Sequence, residues 1–165
     1  MTTHAAPLSN PHGSDAHAPE GHEQTVEERR DIRTAMAQER MAAVGIDEAG
    51  IERLVRRFYG KIMTDDLLGP IFGRIITDWE PHLRKMMDFW SSIALLTQRY
   101  DGRPMPVHIQ LGLEPPHFER WLSLFRETAH ELFPADGAEF LIGKAENIAR
   151  SFQMGIQFFT VPKKP

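Results

Sequence analysis

Apolar side chains recur along this chain with the period of an α-helix in four places, and nowhere alternate with period two over a useful length. Behind an acidic first turn at Asp47, Ile51, Leu54, Val55, Phe58 and Ile62 fall at i, i+3, i+4, i+7 and i+11 and predict a core-facing helix to about Met63, broken by Thr64-Asp65-Asp66. Leu67 to Phe72 then reads as an apolar corner around a Gly69-Pro70 turn. Thr77 with Glu80 three residues later reads as a capping box, opening a helix whose stripe is His82, Met86, Phe89, Ile93 and Leu96, with Leu83, Met87, Trp90 and Ala94 as a second apolar row. Pro115-Pro116 starts a helix with Phe118, Trp121, Leu122, Phe125 and Leu132 inward. A break at Pro134 to Gly137 precedes a last helix bearing Leu141, Ala145, Ile148, Phe152 and Phe159 on one face, ended by Val161-Pro162. The pattern predicts an all-α fold.

Two terminal stretches stand outside this pattern. Val26 to Ala43 is mostly Glu, Arg, Asp and Gln, with Ile32 and Met36 spaced for an apolar face, and predicts a charged, weakly docked helix. Residues 1–25 carry almost no large apolar side chains and cannot bury enough surface to offset ordering entropy, so a disordered tail is expected. That tail holds His4, His12, His17 and His22, whose irregular spacing lacks the i, i+4 pairing of a metal-binding helix face. The expected organisation is a tail over 1–25, a charged helical extension over 26–46, one globular domain over 47–160, and a short tail over 161–165.

Composition narrows the chemistry. The 165 residues are 41% hydrophobic and 25% charged, enough for one domain with a real core. A net charge of −4 gives no overall basic field for nucleic acid or anionic lipid. Zero cysteines exclude disulfides, Cys-ligated zinc, iron–sulfur clusters and thioether-attached haem. No run approaches a membrane span and the first residues lack a signal pattern, so the expectation is a cytoplasmic protein with no membrane partner.

Between the two strongest helical patterns lies Tyr100-Asp-Gly-Arg-Pro-Met-Pro-Val-His108-Ile-Gln-Leu-Gly-Leu113, where Pro104 and Pro106 suit the opening of a short, stiff helix. A lone His beside prolines is ordinarily a solvated loop residue. His82 either caps its helix at the surface or opens a stripe that lines a cavity. Tyr59, one step from Phe58, is either a core tyrosine bonded to a carbonyl or a donor into that cavity. A plain helical bundle has no use for two histidines, Tyr59 and Trp121 directed at one interior. A haem pocket does: one imidazole holds iron, apolar walls take the macrocycle, and hydrogen-bond donors meet a bound gas.

The stretch from about Asp47 to Phe159 resembles the truncated haemoglobins, specifically their third group. The resemblance rests on Phe58-Tyr59, on Leu68-Gly69-Pro70-Ile71-Phe72, and on His82 followed by Phe89-Trp90. It continues through Tyr100-x-Gly-x-Pro-Met-x-x-His108 and Arg120-Trp121-Leu-x-Leu-Phe125. It implies a shortened globin, helices stacked two on two around non-covalent haem b. His108 would be the proximal iron ligand and the only metal ligand, and Phe72 an aromatic packed on the haem. Tyr59, His82, Met86 and Trp121 would form the distal side, with Phe58, Phe89, Trp90, Tyr100 and Phe125 among the haem-contacting residues. Arg84, Lys85, Arg99, Tyr100 and Arg103 are the candidates for the propionates. Two departures are visible: Val107 stands where a basic residue is common, and Met86 where a branched aliphatic is more usual.

The function so implied is binding of diatomic ligands (O2, NO, CO), with peroxide or cyanide as further ligands, at an iron with one open position. Tyr59, His82 and Trp121 would serve nitric oxide dioxygenation or peroxidase-like turnover, supplied by an electron-donating reductase to a monomeric protein. The alternatives are a haem-based gas sensor acting through the N-terminal extension and a haem-free helical interaction module.

Overall fold

The computed structural model describes residues 25–160; the expectations for the 1–25 tail and its histidines, and for the C-terminal tail, fall almost wholly outside them. Seven helices follow one another: α1 (Val26–Ala43), α2 (Glu48–Thr64), α3 (Gly69–Ile75), α4 (Trp79–Ala94), α5 (Pro104–Gln110), α6 (Pro115–Leu132) and α7 (Ala135–Thr160). Among the described residues there is no strand.

Local chemistry sets most of the boundaries. Thr25 caps α1 through a reciprocal box, its Oγ1 accepting from Glu28 N (3.2 Å) while its own N–H donates to the Glu28 carboxylate (2.7 Å). Asp47 caps α2 by accepting from Gly50 N at 2.7 Å. Pro104 in α5 and Pro115 in α6 occupy first-turn positions, where a missing N–H costs nothing.

Five expectations are corrected. The Gly69-Pro70 corner is itself a helix, α3, because proline is tolerated in a first turn. The cap of α4 is Asp78, which accepts from Glu80 N at 3.3 Å; Asp78 is still extended, so the helix starts one residue after the position a Thr77 cap would require. Leu96 leaves the stripe, since α4 ends at Ala94 and Leu96 adopts φ 56 and faces solvent. Gly137 lies inside α7 instead of breaking the chain, at a place where a Cβ would collide with the Val44 carbonyl. Phe159 belongs to the predicted last helix but is exposed near its end.

Helix α2 packs on α4 and α6, and α6 packs on α7, giving two stacked pairs, α2/α4 and α6/α7. Short α5 rests on α7. The buried residues separate into two clusters. The larger is built on Leu54, Val55, Phe58 and Ile62 of α2 with Trp90, Phe125, Leu141 and Ala145. The smaller joins Phe118, Ala149 and Ile156, with Ile109, Leu113 and Phe152 against it. A core divided this way leaves room between its parts. Helix α1 has no fully buried residue; Met41 is its apolar contact with the larger cluster. No described helix is long and apolar enough to cross a membrane.

Candidate functional site

Residues of both clusters line one cavity of about 300 Å³, including Tyr59, Leu68 and Trp90 from the larger and Phe118 and Ala149 from the smaller. Ile75 (44% exposed) and Val107 (51% exposed) line it and also face solvent, so they mark its mouth.

One wall comes from α5 and α7. His108, one turn after Pro104, places Nδ1 2.7 Å from the Pro104 carbonyl oxygen. A carbonyl can only accept, so Nδ1 carries the proton and Nε2 is left with a free lone pair. The ring lies nearly parallel to Phe152, centroids 4.2 Å apart at 29°, which fixes the imidazole plane. Burial pushes the His108 pKa down, partly opposed by the bond to Pro104, and this favours the neutral form a metal requires.

The facing elements, α2, α3, α4 and α6, supply Tyr59, Phe72, His82, Met86 and Trp121, all of them lining residues. The Tyr59 ring is held edge-on by Phe58 (5.2 Å), Phe72 (6.1 Å) and His82 (5.0 Å). Burial, with a smaller contribution from Tyr100, raises the Tyr59 pKa, so the phenol keeps its proton as a donor. His82 Nε2 is fully buried and has no hydrogen-bond partner. Burial first, and Lys85 second, push the His82 pKa down. An orphaned buried nitrogen costs about 1–3 kcal/mol unless something outside the protein satisfies it.

Phe89, Trp90 and Tyr100 also line the cavity. Phe58 and Phe125, expected to touch a cofactor, do not reach it; they stand in a second row. Phe58 meets Trp121 edge-on at 5.3 Å, and Phe125 stacks on Trp121 (5.5 Å) and Trp90 (4.8 Å), so both hold wall residues in place. Among the candidate propionate partners, Arg99 is committed to Glu48 (2.6 Å), Ser91 (2.7 Å) and Asp88 (3.3 Å), and Arg84 lies 3.5 Å from Glu80. Lys85 Nζ sits 6.0 Å from the centre of the Tyr100 ring.

Phe152 and His117 are among the wall residues not singled out as site residues in the sequence. Phe152 read only as core, and its pairing with His108 is a tertiary contact without a local signature. His117 also lines the cavity, with Nδ1 accepting from Glu114 N at 2.9 Å.

Residues 41–153 match the family model described as bacterial-like globin. The group 3 truncated haemoglobin ctb of Campylobacter jejuni is 33% identical over 113 residues, covering 66% of this chain and 89% of that protein. The crystal structure of the group III truncated haemoglobin from Campylobacter jejuni superposes with a TM-score of 0.64 at 33% identity, over 67% of this chain and 91% of that one. A thermostable haemoglobin from the actinobacterium Thermobifida fusca shares the fold at a TM-score of 0.57 and 23% identity, over 70% of this chain and 93% of that one. An all-helical fold that superposes on a group III truncated haemoglobin, and a family match that spans the cavity from Tyr59 to Phe152, place the chain in the bacterial-like globin family as a group III truncated haemoglobin.

Proposed function

We propose that this chain is a haem b protein that binds diatomic gases, with His108 as the single protein ligand to iron. The observation that carries the reading is the pairing of two features in one apolar cavity: a tautomerically fixed imidazole on one wall, and the unpartnered His82 Nε2 beside the Tyr59 phenol on the facing elements. Among the described residues no three His, Asp or Glu side chains gather as a metal site, and a macrocycle that brings four nitrogen ligands of its own needs one imidazole only. When bound, haem supplies an iron with one open position for O2, NO or CO.

The chain's own residues do the rest. The bond from His108 Nδ1 to Pro104 O orients the ring and raises the basicity of Nε2. Phe72, Met86, Phe89 and Trp90 exclude water from the space in front of it. Tyr59 and Trp121 donate hydrogen bonds to a polarised ligand, and neutral His82 stands beside Tyr59 as the group that controls admission. Several donors around one ligand slow its release. This suits oxygen and nitric oxide chemistry or peroxidase-like turnover, fed by an external reductase, better than carriage.

Absorption spectra of the purified chain in oxidised, reduced and CO-treated forms test the reading. An intense Soret band that shifts on reduction and again with CO is expected. A purified chain that takes up no added haem would overturn it and return the protein to the helical interaction module.

A further inference from the structure

Helix α1 presents to solvent a seam that its own domain does not use. Its less exposed positions, Thr34, Ala37 and Met41, face the body of the protein. At about 100° per residue, Arg29, Ile32, Met36, Glu39 and Ala43 project on a different side. Their spacing alternates three and four residues, the repeat of a coiled-coil seam, and Thr25 continues it backwards. Ile32 (45% exposed) and Met36 (48% exposed) sit at its centre, where a shallow groove runs between Val26, Arg29, Ile32 and Arg33. Arg30 leans on Glu27 (3.7 Å) and Asp31 (3.6 Å) off the seam, and among the described residues Arg29 and Glu39 have no ion pair.

A single occupant satisfies every seam position: the same helix of a second copy, running antiparallel about a two-fold axis at Thr34. Opposed residue numbers then have equal sums, so Arg29 meets Glu39 of the second copy at both ends, Ile32 meets Met36 of the second copy on both sides of the axis, and Thr25 meets Ala43. A parallel pair would instead set Arg29 against Arg29 and Glu39 against Glu39. Charged residues at seam positions lower stability but select register and direction. We propose that this chain self-associates through α1 as an antiparallel, two-fold dimer, replacing the monomer expected from the sequence.

An anionic membrane is a poorer partner, because Glu39 lies in the seam, Glu28 and Asp31 lie along its flank, and the whole chain is acidic. The seam is short, and Arg33 comes near its symmetry mate on one flank. The association is therefore concentration-dependent rather than permanent.

Sedimentation velocity on the full-length chain, followed over a wide concentration series, tests this. The wild type is expected to shift from monomer to dimer. Arg29→Glu and Glu39→Arg should each weaken the dimer at least about tenfold, by setting like charges at both ends. The double variant Arg29→Glu/Glu39→Arg should recover it, as only an antiparallel pairing allows. Because the chain has no cysteine, Ile32→Cys mixed with Met36→Cys should oxidise to a linked pair, and Ile32→Cys alone should not. Circular dichroism checks that each variant keeps its helices. A chain monomeric throughout, or a double variant that stays dissociated while folded, overturns the proposal.

Discussion

His108 and Phe152, on different helices, lie face to face with ring centroids 4.2 Å apart. The Pro104 bond constrains the imidazole in its plane and Phe152 constrains the plane itself, so two contacts fix the direction of Nε2. Phe152→Leu removes the aromatic face but keeps an apolar side chain. The expected cost is about 0.5–1.5 kcal/mol of stability in a denaturant titration. Haem should also transfer faster to an excess of a haem-free globin acceptor.

Tyr59 supplies a sharper test, because its role depends on charge in the ligand. Dioxygen held in the cavity would accept a hydrogen bond from a dry phenol, strengthened by its partial negative charge, whereas carbon monoxide is much less polarised. Such a bond contributes about 1.5–3 kcal/mol, which is roughly ten- to hundredfold in release rate. Tyr59→Phe should therefore speed oxygen release by that factor and leave carbon monoxide nearly unchanged. Equal changes for both gases would mean that Tyr59 acts by shape. Trp121 lines the same cavity and would be a second donor, so the pair of substitutions should be measured alone and together.

Acid should loosen the site. Burial is the leading cause that lowers the pKa of both His108 and His82 below the ordinary 6.5. The unfolded chain then binds protons more readily than the folded one, so stability rises with pH across the window between each folded value and 6.5. It is lost as pH falls from 6.5 through those folded values. Denaturation midpoints and haem retention should both decrease from about pH 7 to pH 5, and His82→Leu should flatten part of the decrease. A pH-independent midpoint over that interval would contradict the assignment.

Asp65, at the corner between α2 and α3, ties that corner to α6. Its side chain, 6% exposed, accepts from Leu67 N (3.1 Å), Leu68 N (2.9 Å) and Arg120 Nε (2.6 Å). Burial alone would raise its pKa, but the bonds from Leu68, Arg120 and Leu67 outweigh it and the net direction is down. Asp65→Ala leaves those donors unpaired and should cost about 1–3 kcal/mol. Leu68 lines the cavity, and Trp121 follows Arg120, so a shift in Trp121 fluorescence should accompany the loss.

The helical period carried most of the fold, because α2, α4, α6 and α7 each bury a face and burial selects the residues on it. The misread details lie where local chemistry offers two answers: Asp78 and Thr77 are both capping residues, and Gly69-Pro70 opens a helix as readily as a turn. Tyr59, Phe72, His82, Met86, Trp121 and His108 were singled out through their order and spacing, and all line the cavity. Phe58 and Phe125 stand one row behind the wall residues Trp121 and Trp90. A helical period says which face is buried, not how many layers lie between a side chain and a cavity. Ser91 shows the same limit: a polar side chain on α4, it is fully buried, bonded to Glu48 (2.8 Å), Thr97 (3.0 Å) and Arg99 (2.7 Å).

The claim that His108 alone holds the iron is tested most directly by the Soret spectra of His108→Gly and His82→Ala, recorded with and without added imidazole. His108→Gly should lose most of its haem, or hold it with an altered band, and free imidazole should restore the wild-type spectrum by filling the space left beside Phe152. His82→Ala should retain haem and change only the kinetics of gas binding. Haem lost from His82→Ala and kept unchanged by His108→Gly would contradict the account.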